Sequence, residues 1–361
     1  MEAVAMNDMG ALRQAFAGRR VFVTGHTGFK GAWLCLFLAR LGARVSGYAL
    51  APATEPSLFD LAGVADTLDG HCLADVRDPA ALAAAMQVAR PELVLHLAAQ
   101  ALVRDSYADP ASTWSTNVMG TVNLLEAVRA CPSVRAALVV TTDKCYQNMH
   151  WPWGYRENDR LGGNDPYSAS KAGAELVAHS YRASFFADNG PLLATARAGN
   201  VIGGGDWSTD RLIPDAVRAM RQGRPLLIRH PDATRPWQHV LEPLHGYLLL
   251  AARLLAGDSA CADAYNFGPD AADNLAVRDV LDGLAAHWPA LSWQVDGARQ
   301  TMHEAALLYL DSSKARRELT WQVRWPLDSG LRHTAQWYAA AARDPQGVRA
   351  FTEQQLELFC A

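Results

Sequence analysis

"VFVTGHTGFKGAW", residues 21–33, decides the fold. An apolar run rich in β-branched residues leads into glycines at 25, 28 and 31, and the apolar spacing of "GAWLCLFLARLG" (31–42) then turns helical. Strand, tight turn and helix make the opening unit of a parallel sheet. A helix that begins in such a turn presents unpaired N–H groups and a positive dipole end, where a pyrophosphate sits if no side chain blocks it. Gly25 permits the tight turn, Gly28 the close approach, and Gly31 the packing of helix on strand. A glycine triplet alone is weak evidence, but in this context it predicts a dinucleotide site, with Thr27, Phe29 and Lys30 completing the turn.

The same alternation continues outward. Strand patterns recur at 43–50, 92–99, 135–142 and 192–201, with helical patterns at 78–90, 112–131 and 166–186 between them. Strands separated by helices of this length predict an α/β fold, a doubly wound parallel sheet of Rossmann type. After residue 200 glycine, proline and tryptophan become dense, which predicts a second, smaller domain. The expected division is 18–198 for the first domain and 199–235 with 261–345 for the second. A long helical pattern at 236–255 puts 236–260 back on the first domain, and 1–17 and 346–361 are read as terminal extensions.

Composition narrows the function. With 33 basic and 37 acidic residues and a net charge of −4, no electrostatic footprint for nucleic acid is present. The six cysteines show no CxxC pair and no zinc spacing, so reduced thiols and no metal are expected. "YLLLAARLLA" (247–256) is broken by Arg253 and too short for the roughly 20 apolar residues of a membrane span. "MEAVAMNDMG" lacks an apolar signal core. A soluble cytoplasmic protein is expected.

A dinucleotide fold of this kind carries an acid about 20 residues after the glycines for the ribose hydroxyls. Here the second strand ends "SGYALAP", with no acid before Glu55, which leaves Tyr48 or the following loop for that role. No nearby arginine favours a 2′-phosphate, so NAD is expected rather than NADP. In "ADVRD" (74–78), Asp75 is placed to accept from an adenine amino group with Val76 beside the ring, while Asp78 caps the helix that Pro79 opens.

"YSASK" sets Tyr167 and Lys171 four apart on one helix face. An ammonium beside a phenol stabilises phenolate, and moving a tyrosine from about 10 toward 7 takes roughly 4 kcal/mol. Lys171, a positive nicotinamide and a neighbouring hydroxyl are expected to supply it together. Tyr167 then takes a proton from an alcohol as a hydride leaves its carbon. Thr142 ends a strand at the sheet's carboxyl edge, where it bonds the same oxygen.

These features form a set, "TG..GF.G", the strand-end Thr142 and "Y...K", which resembles the extended short-chain dehydrogenase/reductase family over essentially the whole chain. The resemblance implies an NAD-binding sheet followed by a nucleotide-sugar domain. Neither an alcohol dehydrogenase nor a 4-epimerase needs an acid and an amine after that threonine, yet Asp143 and Lys144 follow it. "TTDK" (141–144) is similar to the nucleotide-sugar 4,6-dehydratases within the family, which implies that Asp143 is the acid for dehydration. Lys144 is then either a neutral base at C5 or a charged group that steadies the enolate.

Long strings extend the likeness: "GYRENDRLGGNDPYSASK", "RAGNVIGGGDW", "DRLIPD", "RPWQHVLEPL" and, near the end, "SKARRELTW". By this resemblance Asn200 touches the nucleotide-sugar, Arg211 and Arg235 meet its pyrophosphate, and Leu97, Ala98 and Gln100 line the cofactor site. It further implies that the helices at 112–131 and 166–186 pair across a two-fold axis, giving a homodimer or a dimer of dimers. His96 reads as a satisfied core residue, and the tryptophans of "HWPWGYREN" (150–158) as a lid over the sugar or as core. Two rival readings remain, a nucleotide-sugar epimerase and a non-catalytic dinucleotide sensor.

Overall fold

The computed structural model describes residues 2–296 and 307–361, with side chains from Asp8 onward; residues 297–306, part of the expected second domain, lie outside the described residues. Seven parallel strands make the central sheet: β1 Arg20–Thr24, β2 Arg44–Ala49, β3 Gly70–Leu73, β4 Leu93–His96, β5 Ala136–Val140, β6 Leu192–Ala198 and β7 Ala264–Phe267. Their order across the sheet is 7-6-5-4-1-2-3. The order reverses between β1 and β4, and the crevice above that point is where a doubly wound sheet takes its ligand. The seventh strand comes from the region expected in the second domain and pairs in parallel with β6.

The longer helices are α1 Glu2–Phe16, α2 Phe29–Arg40, α3 Pro79–Ala89, α4 Gly120–Arg129, α5 Pro166–Ser184, α6 Leu212–Arg221, α7 Leu241–Leu255, α8 Val277–His287, α9 Leu327–Arg343 and α10 Val348–Cys360. Their starts follow local chemistry. Asp78 accepts from the N–H groups of Ala80 and Ala81 at 3.0 Å ahead of Pro79. Asp165 accepts from Ser168 N at 2.9 Å ahead of Pro166.

Strand periodicity separates two cores. Val21, Val23, Leu93, Leu95 and Leu138 face one side, with Trp33, Phe37, Leu244 and Leu248 of α2 and α7. Phe22, Tyr48, Val94, Ala137 and Val139 face the other, with Leu82, Met86, Leu124, Leu125 and Ala178 of α3, α4 and α5. Both faces being covered explains why these strands read as apolar runs.

Four expectations need correction. The helical pattern at 236–255 becomes helix only from Leu241, because Gln238 and His239 pair with Val201 and Ile202 as a short parallel ladder. That ladder also ends the strand expected to run through 192–201 at Ala198. The helix expected over 112–131 is not uniform: Pro110–Trp114 and α4 flank a π-helical segment, Ser115–Met119, that faces the cavity with Thr116. The segments expected as terminal extensions are packed: Leu12, Phe16, Val348, Leu356 and Phe359 belong to the core around α2 and α7. Arg324 ties the two ends, donating to Asp8 Oδ1 at 2.6 Å and to Phe359 O at 3.1 Å.

No helix among the described residues is long and apolar enough to cross a membrane. No described cysteine is in a disulfide, and no described cluster of His, Cys, Asp and Glu is suited to a metal.

Candidate active site

A cavity of about 850 Å³ opens along the carboxyl edge of the sheet, within the size range of small-molecule sites. The glycine turn forms one end, and the geometry separates the three glycines. Gly25 has a left-handed backbone, φ 76, and a Cβ on it would lie 2.7 Å from Ala98 N. On Gly31 a Cβ would lie 2.1 Å from Gly25 O, whereas on Gly28 it would stand 3.4 Å from that oxygen and disturb no protein atom. The fold therefore requires Gly25 and Gly31, while Gly28 leaves space for something that is not protein. It stands at the N-terminus of α2 with no side-chain cap, the arrangement that receives a pyrophosphate. A dinucleotide fits this cradle.

Thr27, Phe29 and Lys30 also face the cavity. The Thr27 hydroxyl donates to Leu50 O at 2.8 Å, which ties the turn to the end of β2. Lys30 Nζ lies 3.5 Å from the Tyr247 hydroxyl. Burial first, then the charges of Arg211 and Lys171, pull its amine down to about 7.

The adenosine end departs from expectation. Tyr48 is buried, outside the cavity wall, and its hydroxyl donates to Asp75 O at 2.9 Å, so it does not substitute for the missing acid. Leu50, Ala51 and Ala53 of the following loop stand at the wall instead. Asp75 and Val76 face the cavity as expected, but the guanidinium of Arg77, which the sequence reading passed over, donates twice to Asp75 Oδ2, at 2.6 and 2.9 Å, and the Arg77 N–H donates to Oδ1 at 2.9 Å. That pairing holds the Asp75 carboxyl below its usual range and offsets the arginine charge that would otherwise favour a 2′-phosphate.

Leu97, Ala98 and Gln100 follow β4 and form the floor. The Gln100 side chain braces its own loop, accepting from Leu102 N at 2.8 Å and donating to Leu102 O at 2.9 Å. His96 is a core residue, bonded to Thr24 Oγ1 at 2.7 Å and Thr121 Oγ1 at 3.3 Å, with burial pushing its imidazole down to about 3.

The opposite wall carries Thr142, Lys144, Tyr167 and Lys171 together. Asp143 lies between the first two and is fully buried just behind the wall. Its Oδ1 accepts from Thr142 Oγ1 at 2.9 Å, and its Oδ2 has no hydrogen-bond partner among the described residues. Lys144 Nζ stands 3.9 Å from Asp143 Oδ1 and donates to Asn200 Oδ1 at 3.3 Å. A buried carboxylate oxygen with no partner is uncommon and suits a group that exchanges a proton with a ligand.

Tyr167 stands fully within the wall. Burial raises its phenol to about 12, with the Thr142 hydroxyl pulling the other way. Lys171 donates to Val140 O at 3.1 Å, and burial brings its amine down to about 8. The expected lowering of this phenol counts the charge of a nicotinamide beside Lys171 and the Thr142 hydroxyl.

Beneath this wall lies a buried network that the sequence reading missed. Arg197 of β6 donates to Glu175 Oε2 of α5 at 2.7 Å and to the Tyr146 hydroxyl at 2.8 Å. Thr141 and Thr195 also donate to Glu175, so β5, β6 and α5 meet on one carboxylate. A single glutamate in an amphipathic helix gives no sign of burial; only the threonines and arginine of the facing strands reveal it.

Asn200, Arg211 and Arg235 reach the cavity from the segments after β6. Arg211 pairs with Asp206 at 3.0 Å, and Arg235 donates to Thr234 O at 2.8 Å. Neither Trp151 nor Trp153 faces the cavity. Trp151 stacks on Tyr155, which stacks on Tyr146, so this tryptophan is packing rather than a lid.

The chain is similar to known proteins in sequence and in fold. The family described as "GDP-mannose 4,6 dehydratase" matches residues 22–334. A CDP-glucose 4,6-dehydratase of Salmonella typhimurium strain LT2 is 48% identical over 332 residues, covering 90% of this chain and 92% of the relative. Among solved structures, the dTDP-glucose 4,6-dehydratase DesIV of Streptomyces venezuelae, solved with NAD bound, superposes with a TM-score of 0.73 at 26% identity, over 89% of this chain and 97% of that one. An epimerase of Methanothermobacter thermautotrophicus shares the fold, with a TM-score of 0.81 at 21% identity over 93% and 96%.

Proposed function

The chain belongs to the GDP-mannose 4,6-dehydratase family, and from that premise we propose that it is an NAD-dependent lyase that converts CDP-D-glucose to CDP-4-keto-6-deoxy-D-glucose. The observation that carries the reading is the meeting of Lys144, Tyr167 and Thr142 at one cavity wall with Asp143 directly behind it, bonded to Thr142 and 3.9 Å from Lys144.

NAD, when bound, supplies a two-electron acceptor for C4 of the sugar, returns the same pair to C6, and adds a positive charge beside Tyr167. The chain does the rest. Tyr167 takes the proton of the C4 hydroxyl, with Thr142 bonding the same oxygen and Lys171 steadying the phenolate. The C4 ketone acidifies the C5 hydrogen. Asp143 gives a proton to the C6 hydroxyl, which departs as water. Lys144, held between Asp143 and Asn200, serves the C5 position as base or as the charge beside the enolate. C5 takes back a proton once C6 is reduced, and the proton gained by Tyr167 makes up for the one Asp143 gave, so the balance over one turnover is the loss of one water, with NAD restored.

Asn200, Arg211 and Arg235 hold the nucleotide-sugar, because a planar guanidinium forms paired, charge-assisted bonds to phosphate. Residues 18–198 with 236–260 serve the cofactor, and 199–235 with 261–345 serve the sugar. Trp114 and Met119, on the segments before α4, and Leu176 and Phe185, on α5 and just after it, are large exposed apolar residues, which supports pairing of two copies through those helices. We place the protein in the cytoplasm, in deoxysugar synthesis for bacterial surface polysaccharide.

The test is turnover with NAD and a panel of CDP-, dTDP-, UDP- and GDP-glucose. Loss of one water from CDP-glucose with a C6 methyl in the product is expected. An epimer of unchanged mass would favour a 4-epimerase, and binding without turnover would favour a sensor. Light scattering on Leu176→Glu, expected to yield monomers, tests the assembly.

A further inference from the structure

Besides Arg77, four arginines face the cavity, Arg104, Arg211, Arg229 and Arg235, and Asp206 and Asp210 face it with them. The two aspartates differ. Asp206 is buried, and besides pairing with Arg211 it accepts from Ser208 N at 3.0 Å, so it is a fixed part of its turn. Asp210 is about a third exposed and has a left-handed backbone, φ 57. Its Oδ1 lies 2.6 Å from Arg104 Nη1 and 3.7 Å from Arg229 Nη2. Arg104 belongs to the short helix Val103–Ala108 after β4, on the cofactor side, whereas Arg229 follows the strand Leu226–Ile228 on the sugar side. One carboxylate thus draws together two guanidinium groups from opposite sides of the site.

We propose that Arg104 and Arg229 are further diphosphate ligands, beyond Arg211 and Arg235, and that Asp210 occupies their anion position until a nucleoside diphosphate displaces it. The proposal rests on the nucleotide-sugar reading of this cavity. The energetics favour displacement. A half-exposed ion pair contributes less than about fivefold to an equilibrium. A diphosphate brings more charge and several oxygens, and each guanidinium fork bonds it in the charge-assisted, paired manner that is roughly twice as strong as a neutral bond. Asp210 therefore keeps the two arginines close together before binding and competes only weakly afterwards.

The competition gives two substitutions opposite signs. Titration of the full chain with CDP and with inorganic pyrophosphate, in the presence of NAD, reads both. Arg104→Gln is expected to weaken binding of each about tenfold, and Asp210→Asn to tighten it about threefold, with NAD affinity unchanged in both. Arg229→Gln is expected to follow Arg104→Gln and serves if the first variant does not fold. The proposal is overturned if Asp210→Asn weakens binding. The same holds if both variants lose thermal stability alike with CDP affinity untouched, the behaviour of a merely structural pair. It is overturned, too, if Arg104→Gln costs NAD affinity instead, or if the wild type binds neither probe. A wild type that binds pyrophosphate but not CDP sinks the cytidine reading alone, and the arginine effect is then read on pyrophosphate.

Discussion

In the mechanism proposed above, dehydration turns on Asp143, a buried acid whose second oxygen no described protein group satisfies. Asp143→Asn should still oxidise C4 but lose water elimination by about 10²–10⁴, the usual worth of a positioned acid. Rapid-mixing absorbance of the reduced nicotinamide, read against product mass, separates the two steps. Tyr167→Phe should lose both, and equal loss of the first step in Asp143→Asn would count against the assigned roles. These positions were legible because spacing places them: a strand end followed by three polar residues, then a tyrosine and a lysine four apart. What spacing does not carry is ionisation, which depends on neighbours far along the chain. Glu242 is another such case. It accepts from Arg324 N at 3.1 Å and Trp325 N at 2.7 Å, yet burial raises its carboxyl from 4.5 to about 8. The folded state then holds this proton more tightly than the unfolded one. Its contribution to stability is complete below the unfolded value of 4.5 and is lost as pH rises through about 8. Urea unfolding across that window should show a fall on the order of a few kcal/mol, and Glu242→Gln should flatten it.

Elements carry two further expectations. At the start of α2, Gly28→Ala should leave the fold intact and weaken NAD binding by at least about tenfold. Gly31→Ala should instead lower thermal stability, since its Cβ meets Gly25 O. Calorimetric titration with a melting curve on each variant distinguishes the two glycines. Under the catalytic wall, Glu175→Gln leaves Arg197 buried without its counter-charge and should cost about 3–5 kcal/mol, measured by denaturant midpoint. The parallel sheet itself was readable, because strands buried on both faces appear as apolar runs between helices. The stretch before α7 was not. Residues 236–240 follow a helical pattern, but Gln238 and His239 are held extended by Val201 and Ile202, and the tertiary ladder overrides the local preference. The π-helical segment inside 112–131 was not readable either: Asn117 within it bonds to partners remote in sequence, donating to Ser170 Oγ at 2.8 Å and to Gln100 O at 3.0 Å.

For the molecule as a whole, the ends matter more than their sequences suggest. Residues near both termini read as extensions because they lie outside the alternating pattern, whereas their apolar faces complete the core beside α2 and α7. A chain ending before Val348 should lose roughly 1.5–3 kcal/mol for each large apolar side chain removed from that core, Phe359 among them. A lower denaturant midpoint, with the sheet's circular dichroism retained, is the expected signature. The same arrangement bears on how the protein is made. The strand that opens the sheet, Arg20–Thr24, is polymerised roughly 300 residues ahead of Val348, Leu356 and Phe359, which seal the surface beside it. At about 5–20 residues per second the interval is on the order of tens of seconds. Throughout that wait an oily seam lies open on the nascent chain, an invitation to a chaperone.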